Sequence, residues 1–163
     1  MAAEDVTYVG SFNSSADGRA VAKVMYDRDV KVIFGCGGET GNGALMEALE
    51  RRKKGESVWA VGVDMDQYYM GIYEGEGDSA KSAVLTSATK GVYLCAYELT
   101  KAWVKGEFKG GQKLIYDAKN NGIGLPEKNP NLSQDTLDKV KDAFDQIKAG
   151  TLVVSDQKGD LID

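Results

Sequence analysis

The sequence VKVIFGCGGETGNGALMEALERR, residues 30–52, places a glycine-rich loop between an apolar strand pattern and a helix pattern. Within it, GCGGETGNG (35–43) contains five glycines in nine residues. Glycine lets a backbone approach its neighbours closely, and the first N–H groups of a helix have no partner inside the helix. The pattern therefore predicts either a backbone-lined cradle for a hydroxyl or an anion, or a tight turn that holds no ligand.

Strand and helix patterns alternate along the rest of the chain. Predicted strands cover 6–10, 30–35, 57–64, 82–88 and 112–118, with a short edge strand at 151–154. Predicted helices cover 13–29, 40–54 and 90–106, and a last helix runs from a cap at Ser133 to Gly150. Residues 65–81 are predicted to form a long polar and aromatic loop. This order predicts an α/β fold with a parallel sheet, in which ligands bind beyond the carboxyl ends of the strands.

Composition argues against several classes of function. The 163 residues include no histidine, which removes the commonest general base and metal ligand. The net charge is −5, and the basic run RRKK (51–54) is predicted to end a helix, so no nucleic-acid partner is expected. No window is long and apolar enough for a membrane span, and the opening MAAEDVTYVGS lacks a signal-peptide pattern. Cys36 and Cys95 are predicted to be buried free thiols.

The glycine loop does not match either common nucleotide-binding motif. Gly38 and Gly43 have the P-loop spacing, but Ala44 stands where that motif needs lysine. No register of the loop satisfies the dinucleotide pattern G-x-G-x-x-G. Phe34 precedes the loop, where it either offers a ring face to a flat ligand or packs in the core.

A second candidate site lies in GVDMDQ (62–67), at the end of the third predicted strand. On an extended segment, Asp64 and Asp66 point the same way. A carboxylate here is suited to bind a vicinal diol, to hold Mg²⁺, or to accept a phosphoryl group. The loop is also consistent with a purely structural need for charge.

Six stretches, in this order, make the chain resemble the basic membrane protein family of ABC-transporter substrate-binding lipoproteins, also called purine nucleoside receptors. They are YVGSFN (8–13), DVKVIFGCGGETGNG (29–43), VGVDMDQ (61–67), VLTSATKGV (84–92), FKGGQ (108–112) and NNGIGL (120–125). The resemblance covers nearly the whole chain, and it is the combination of stretches that is specific.

The resemblance implies a type I periplasmic-binding-protein lobe, a flavodoxin-like three-layer parallel sheet with helices on both faces. Such receptors have two lobes, and this chain resembles the second half, a single α/β lobe over 1–163. Residues 11–88 would form the lobe core, 89–117 would pack on the first lobe, and 118–163 would return. The parent is expected to be an extracytoplasmic, membrane-anchored lipoprotein whose signal peptide and lipid anchor lie outside this chain.

The resemblance also implies roles for particular residues. Phe34 would stack on a purine base, Asp64 would bind ribose hydroxyls, Lys90 would reach the ligand from the hinge side, and Gly38 would approach it by backbone. The family usually has two glycines before the TG of the loop, and here Glu39 takes the second position, where it would border the ligand. No metal or cofactor is implied.

The helix predicted over 90–105 carries an apolar stripe that would lie against the absent first lobe. Burying one such side chain stabilises by roughly 1.5–3 kcal/mol, so the stripe is expected to find a partner. The helix would fold back on its own sheet, pair with a second copy of the chain, or meet a separate chain that supplies the first lobe.

The leading functional prediction is a binding module without chemistry. It would capture a purine nucleoside or related small molecule and deliver it to an ABC permease. The alternative is a signalling domain of flavodoxin-like fold, in which Asp64 accepts a phosphoryl group or the sheet senses an effector. An enzyme is not expected, because the sequence lacks histidine, a complete P-loop and a G-x-S-x-G nucleophile motif.

Overall fold

The computed structural model of the protein describes residues 5–155. The helices are α1 (Ser15–Asp27), α2 (Glu39–Lys53), α3 (Val92–Val104) and α4 (Gln134–Ala149). The strands are β1 (Val32–Phe34), β2 (Trp59–Asp64), β3 (Ile72–Glu74), β4 (Lys81–Ser82), β5 (Val84–Lys90) and β6 (Ile123–Gly124). No helix in the described range is both long and apolar enough to cross a bilayer.

The main sheet has the strand order β1-β2-β5-β6. The first three strands are parallel, and β6 pairs antiparallel with the end of β5. The carboxyl ends of β1, β2 and β5 therefore meet at one edge. Asp64 pairs in register with Thr89, so the last residues of β2 and β5 lie side by side.

One face of the sheet is covered by α1 and α2, which pack closely against each other. Ser14 caps α1 by accepting a hydrogen bond from the Asp17 backbone N–H at 3.3 Å. The Tyr26 hydroxyl donates to the Trp59 carbonyl oxygen at 2.9 Å and joins α1 to β2. The core between these layers is small and apolar, with Ala22, Leu45, Ala48, Ala60 and Val84 almost fully buried.

Helix α4 lies over the other face of the sheet and is separated from it by an open space. Phe34, Val63 and Ala88 alternate with the buried core residues, and together with the apolar stripe of α4 they line one cavity. Asn131 fixes the approach to α4 by donating its side-chain N–H to the carbonyl oxygens of Ser82 and Val84. Helices thus lie on both faces, which confirms the predicted three-layer α/β architecture.

Three predicted strands are absent from the structure. Within residues 5–155, the segments 6–10, 112–118 and 151–154 pair with no other strand, and Tyr8, Ile115 and Val153 are exposed. Their alternating or β-branched patterns indicate extended backbone, but a strand also needs a partner edge. Conversely, the loop predicted at 65–81 contains the antiparallel hairpin of β3 and β4.

Helix α3 forms where it is predicted but is hardly covered. None of its residues is buried, and it makes no extensive contact with another helix or strand of the described chain. The predicted fold-back onto the sheet is therefore not seen within residues 5–155.

Candidate functional site

A cavity of about 880 Å³ lies at the carboxyl ends of β1, β2 and β5 and extends beneath α4. This is the edge of a parallel α/β sheet at which ligands usually bind. The glycine loop, the end of β2 and the end of β5 all contribute to its wall. Three segments that are distant in the sequence thus meet around one space.

The glycine loop has two roles in the structure. A Cβ on Gly41 would overlap the Gly35 carbonyl oxygen, so these two glycines allow the loop to pack on the start of α2. Gly37 and Gly38 instead line the cavity. Gly38 has a φ of 55°, a conformation that favours glycine, and a Cβ there would lie 3.1 Å from the Phe12 carbonyl oxygen. The loop is therefore both a tight turn and a backbone-lined wall.

Asp64 and Lys90 form an ion pair at the polar end of the cavity. Lys90 Nζ lies 2.7 Å from Asp64 Oδ1, and both side chains are at least half exposed. The hydrogen bond to the Asp64 carboxylate favours the charged ammonium and raises the pKa of Lys90. An exposed pair of this kind contributes little to stability, which leaves both groups available to a ligand.

The turn that follows Asp64 is held in place by hydrogen bonds of the buried residue Gln67. The Gln67 side chain accepts from the Val63 backbone N–H at 2.8 Å and donates to the Asn42 side chain at 2.9 Å. The Gln67 backbone N–H donates to Ser87 Oγ at 3.0 Å. These bonds fix the turn after β2 against both the sheet and α2, and so position Asp64.

The two carboxylates of GVDMDQ are not used together. Asp66 accepts from the Tyr68 backbone N–H at 3.0 Å and lies outside the cavity lining, whereas Asp64 lines the cavity. Within residues 5–155, no cluster of three or more histidine, cysteine, aspartate or glutamate side chains is placed to hold a metal ion.

Four of the five predicted site residues lie around the same cavity. Phe34, Gly38, Asp64 and Lys90 all line it. Glu39, which was expected to border the ligand, is exposed on the first turn of α2 and is not part of the lining.

Sequence reasoning missed two further residues of the wall, Phe12 and Cys36. Phe12 lines the cavity beside the glycine loop, and its carbonyl oxygen accepts from the Thr40 backbone N–H. The sequence signal was an isolated aromatic residue in the polar stretch GSFNSS (10–15). Cys36 was predicted to be buried, but it is exposed and lines the cavity. Partial desolvation raises the pKa of its thiol, and nearby Lys90 and Asp64 act in opposite directions.

The roof of the cavity is the apolar stripe of α4, made of Leu137, Val140, Phe144 and Ile147. No residue of α4 is buried, because the stripe faces this space instead of packing directly on the sheet. The site is therefore polar at the strand ends and apolar beneath α4.

Comparison with known proteins places the chain in a family. The model of the Bmp family, described as ABC transporter substrate-binding protein PnrA-like, matches residues 3–158. The chain is 35% identical over 155 residues to a CD4+ T-cell-stimulating antigen of Listeria monocytogenes, covering 94% of this chain and 43% of the relative. It is 31% identical over 147 residues to the ABC transporter nucleoside-binding protein BmpA of Lactococcus lactis, and the match covers 88% of this chain and 40% of the relative. The chain thus spans about two fifths of these relatives.

Solved structures show the same fold. A solute-binding protein of an ABC transporter system from Aeropyrum pernix superposes with a TM-score of 0.73 at 21% identity, over 94% of this chain and 48% of that one. A transcriptional activator of the comK gene from Bacillus halodurans superposes with a TM-score of 0.69 at 20% identity, over 92% of this chain and 48% of that one. At these identities the likeness concerns the fold alone. The family match, which extends over nearly the whole chain, shows that this protein belongs to the Bmp family of PnrA-like ABC transporter substrate-binding proteins.

Proposed function

We propose that this chain is the ligand-binding half of an ABC-transporter solute-binding protein and that its cavity takes a nucleoside-like small molecule. The observation that carries the proposal is the meeting of Phe34, Gly38, Asp64 and Lys90 around one cavity, although they come from three separate segments. The chain would bind its ligand without covalent chemistry and deliver it to a permease.

The polar end of the cavity is suited to a sugar. A carboxylate accepts two hydrogen bonds from adjacent hydroxyls, and such bonds to a charged group contribute about 1.5–3 kcal/mol each. Lys90, at 2.7 Å from Asp64, would hold the carboxylate in place and donate to a ring or hydroxyl oxygen. The backbone of Gly37 and Gly38 forms the adjacent wall.

The aromatic residues are suited to a flat base. Phe12 and Phe34 both line the cavity and are more than half exposed, so their ring faces are open to a ligand. Stacking of a base on an aromatic ring is worth about 1–3 kcal/mol. The printed name of the Lactococcus lactis relative, a nucleoside-binding protein, supports the same ligand class.

The remaining elements of the proposal concern the whole receptor. Because the chain spans about two fifths of its relatives, the ligand would be enclosed from a second side by structure outside residues 5–155. A half site is expected to bind more weakly than a closed one, since closure buries most of a ligand's surface. The parent protein would be extracytoplasmic and anchored to the membrane by a lipid.

Calorimetric titration of this chain with adenosine, guanosine and inosine tests the proposal. Asp64→Ala is expected to weaken binding at least about a hundredfold, because it removes two hydrogen bonds to a charged group, each worth about 1.5–3 kcal/mol. Asp66→Asn is the matched control, since Asp66 lies in the same loop outside the cavity and asparagine can still accept from Tyr68.

Two results would contradict the proposal. One is the absence of binding heat for all three nucleosides at millimolar concentration. The other is an equal loss of affinity in Asp64→Ala and Asp66→Asn, which would indicate a general disturbance of the loop.

A further inference from the structure

The cavity has two ends of different chemistry. At the strand ends, its wall carries Asp64, Lys90 and the backbone of the glycine loop. From there the space continues between the sheet and α4, where the wall is apolar. The whole volume of about 880 Å³ lies in the upper part of the range usual for small-molecule sites, about 300–1,000 Å³. A ligand that contacted only the polar end would leave this apolar end unfilled.

The floor of the apolar end is one face of the sheet. Val63 of β2 pairs in register with Ala88 of β5, so the two side chains lie side by side and both line the cavity. Phe34 of β1 lies on the same face, since its neighbour Ile33 is buried in the core on the other side. The floor therefore presents only carbon atoms to a ligand.

The roof is the apolar stripe of α4, which is held at a distance from the floor. Just before α4, Asn131 donates to the carbonyl oxygens of Ser82 and Val84. Near the other end of α4, Lys148 Nζ donates to Asn121 Oδ1 at 3.0 Å. No residue of α4 is buried, so the layers are tied together near the two ends of the helix and stay open between them.

Water is a poor occupant of the apolar end. A buried water needs about two to four polar partners, and the side chains of the floor and of the α4 stripe offer none. Apolar surface of a ligand would gain by leaving water for this space. Because the apolar end opens directly into the polar end, one ligand anchored at Asp64 can extend into both.

We infer that the apolar end is a subsite for an apolar substituent on the base of the ligand. The inference rests on the proposed function, in which Asp64 holds the ribose and Phe34 stacks on the base. In that arrangement, the edge of the base remote from the ribose points away from Asp64, toward the space beneath α4. The ligand class that fills the whole cavity is a nucleoside whose base carries an alkyl or aryl group on its exocyclic nitrogen.

Calorimetric titration with adenosine and with N6-benzyladenosine tests the subsite. The benzyl compound is expected to bind about ten- to hundredfold more tightly, because its ring is buried against apolar side chains. Val140→Glu brings a charge to the roof and is expected to lower this preference about tenfold. Gln146→Glu is the matched control, since it places the same charge on α4 at an exposed position outside the cavity lining and should leave the preference unchanged. Circular dichroism establishes that both variants keep their helices.

The outcomes separate the subsite from the proposed function. Equal or weaker binding of the benzyl compound, beside measurable binding of adenosine, would overturn the subsite and leave the proposed function intact. A preference that Val140→Glu does not lower, or that both variants lower equally, would also overturn the subsite, because the substituent would then not contact the roof. Failure of both compounds to bind at millimolar concentration would contradict the proposed function itself, and the subsite with it.

Discussion

At the scale of single residues, Asp64 combines an unusual backbone with an exposed charge. Its φ is 70°, a region that residues other than glycine seldom adopt. The turn is held by Gln67, whose side-chain oxygen accepts from the Val63 backbone N–H. Strained backbone conformations persist only where the surrounding structure holds them, and they are concentrated at functional sites. This agrees with the proposed role of Asp64 as the anchor for ligand hydroxyls.

Phe12 and Phe34 are predicted to contribute separately to ligand binding. Replacement of either ring by alanine removes one stacking surface, and the nucleoside dissociation constant is expected to rise about tenfold. The measurement is a calorimetric titration of Phe12→Ala and Phe34→Ala with the nucleoside that binds most tightly.

Tyr69→Ala is the control for these two variants, since Tyr69 is exposed and lies outside the cavity lining. If both phenylalanine variants bind as tightly as the unmodified chain, the rings do not contact the ligand.

Individual residues of the glycine loop were only partly predictable. The composition of 35–43 indicated a close approach of backbone, and the structure shows that approach at Gly35, Gly41 and Gly38. Gly35 and Gly41 approach each other, whereas Gly38 approaches the Phe12 carbonyl oxygen. That contact joins positions 12 and 38, and no local pattern encodes it.

At the scale of elements, the pairing of α1 and α2 depends on small residues. Gly43 lies inside α2, where a Cβ would overlap the Ser15 carbonyl oxygen and lie 2.6 Å from the Arg19 backbone nitrogen. The two helix backbones therefore approach too closely for any side chain at this position.

Gly43→Ala is expected to lower the free energy of unfolding by about 1–3 kcal/mol, because the added methyl forces the helices apart. In a helix without this contact, the same change would stabilise by roughly 0.5–1 kcal/mol, so the sign of the effect is diagnostic. Urea denaturation measures it.

Gly110→Ala serves as the reference for this substitution, since a Cβ at Gly110 meets no atom within 4 Å and its φ is not positive. A Gly43→Ala chain as stable as the unmodified protein would show that the helices are not packed through Gly43.

Elements with strong local signals were predicted well. Ser133 caps α4, and Gly150 ends it in a left-handed conformation, as the sequence predicts. The strands predicted from the apolar runs at 30–35, 57–64 and 82–88 correspond to β1, β2 and β5. Segments 6–10 and 112–118 have comparable strand patterns but find no partner edge within the described chain, and the pattern alone cannot supply one.

At the scale of the whole molecule, the cavity results from how the layers are spaced. The apolar residues of α4 share one side of the helix, and this side faces the sheet across an open space instead of packing directly against it. The spacing is set by long-range bonds, such as those from Asn131 to the carbonyl oxygens of Ser82 and Val84. Periodicity indicates which side of a helix is apolar and gives no information about its distance from the sheet.

Two features, the open cavity and the uncovered helix α3, agree with a chain about two fifths as long as its relatives. No residue of α3 lines the cavity, so occupation of the cavity can be measured independently of what covers α3.

Differential thiol labelling tests the central claim, that the cavity at the strand ends holds the ligand, most directly. The two cysteines are free; Cys36 lines the cavity, and Cys95 lies on α3 outside it. Labelling by iodoacetamide is carried out at alkaline pH, because the pKa of the Cys36 thiol is raised and the thiolate is the reactive form. It is followed at each cysteine by peptide mass spectrometry with and without saturating inosine. We expect inosine to slow labelling of Cys36 several-fold and to leave Cys95 unchanged. An unchanged rate at Cys36, or equal slowing at both cysteines, would contradict a ligand site in this cavity.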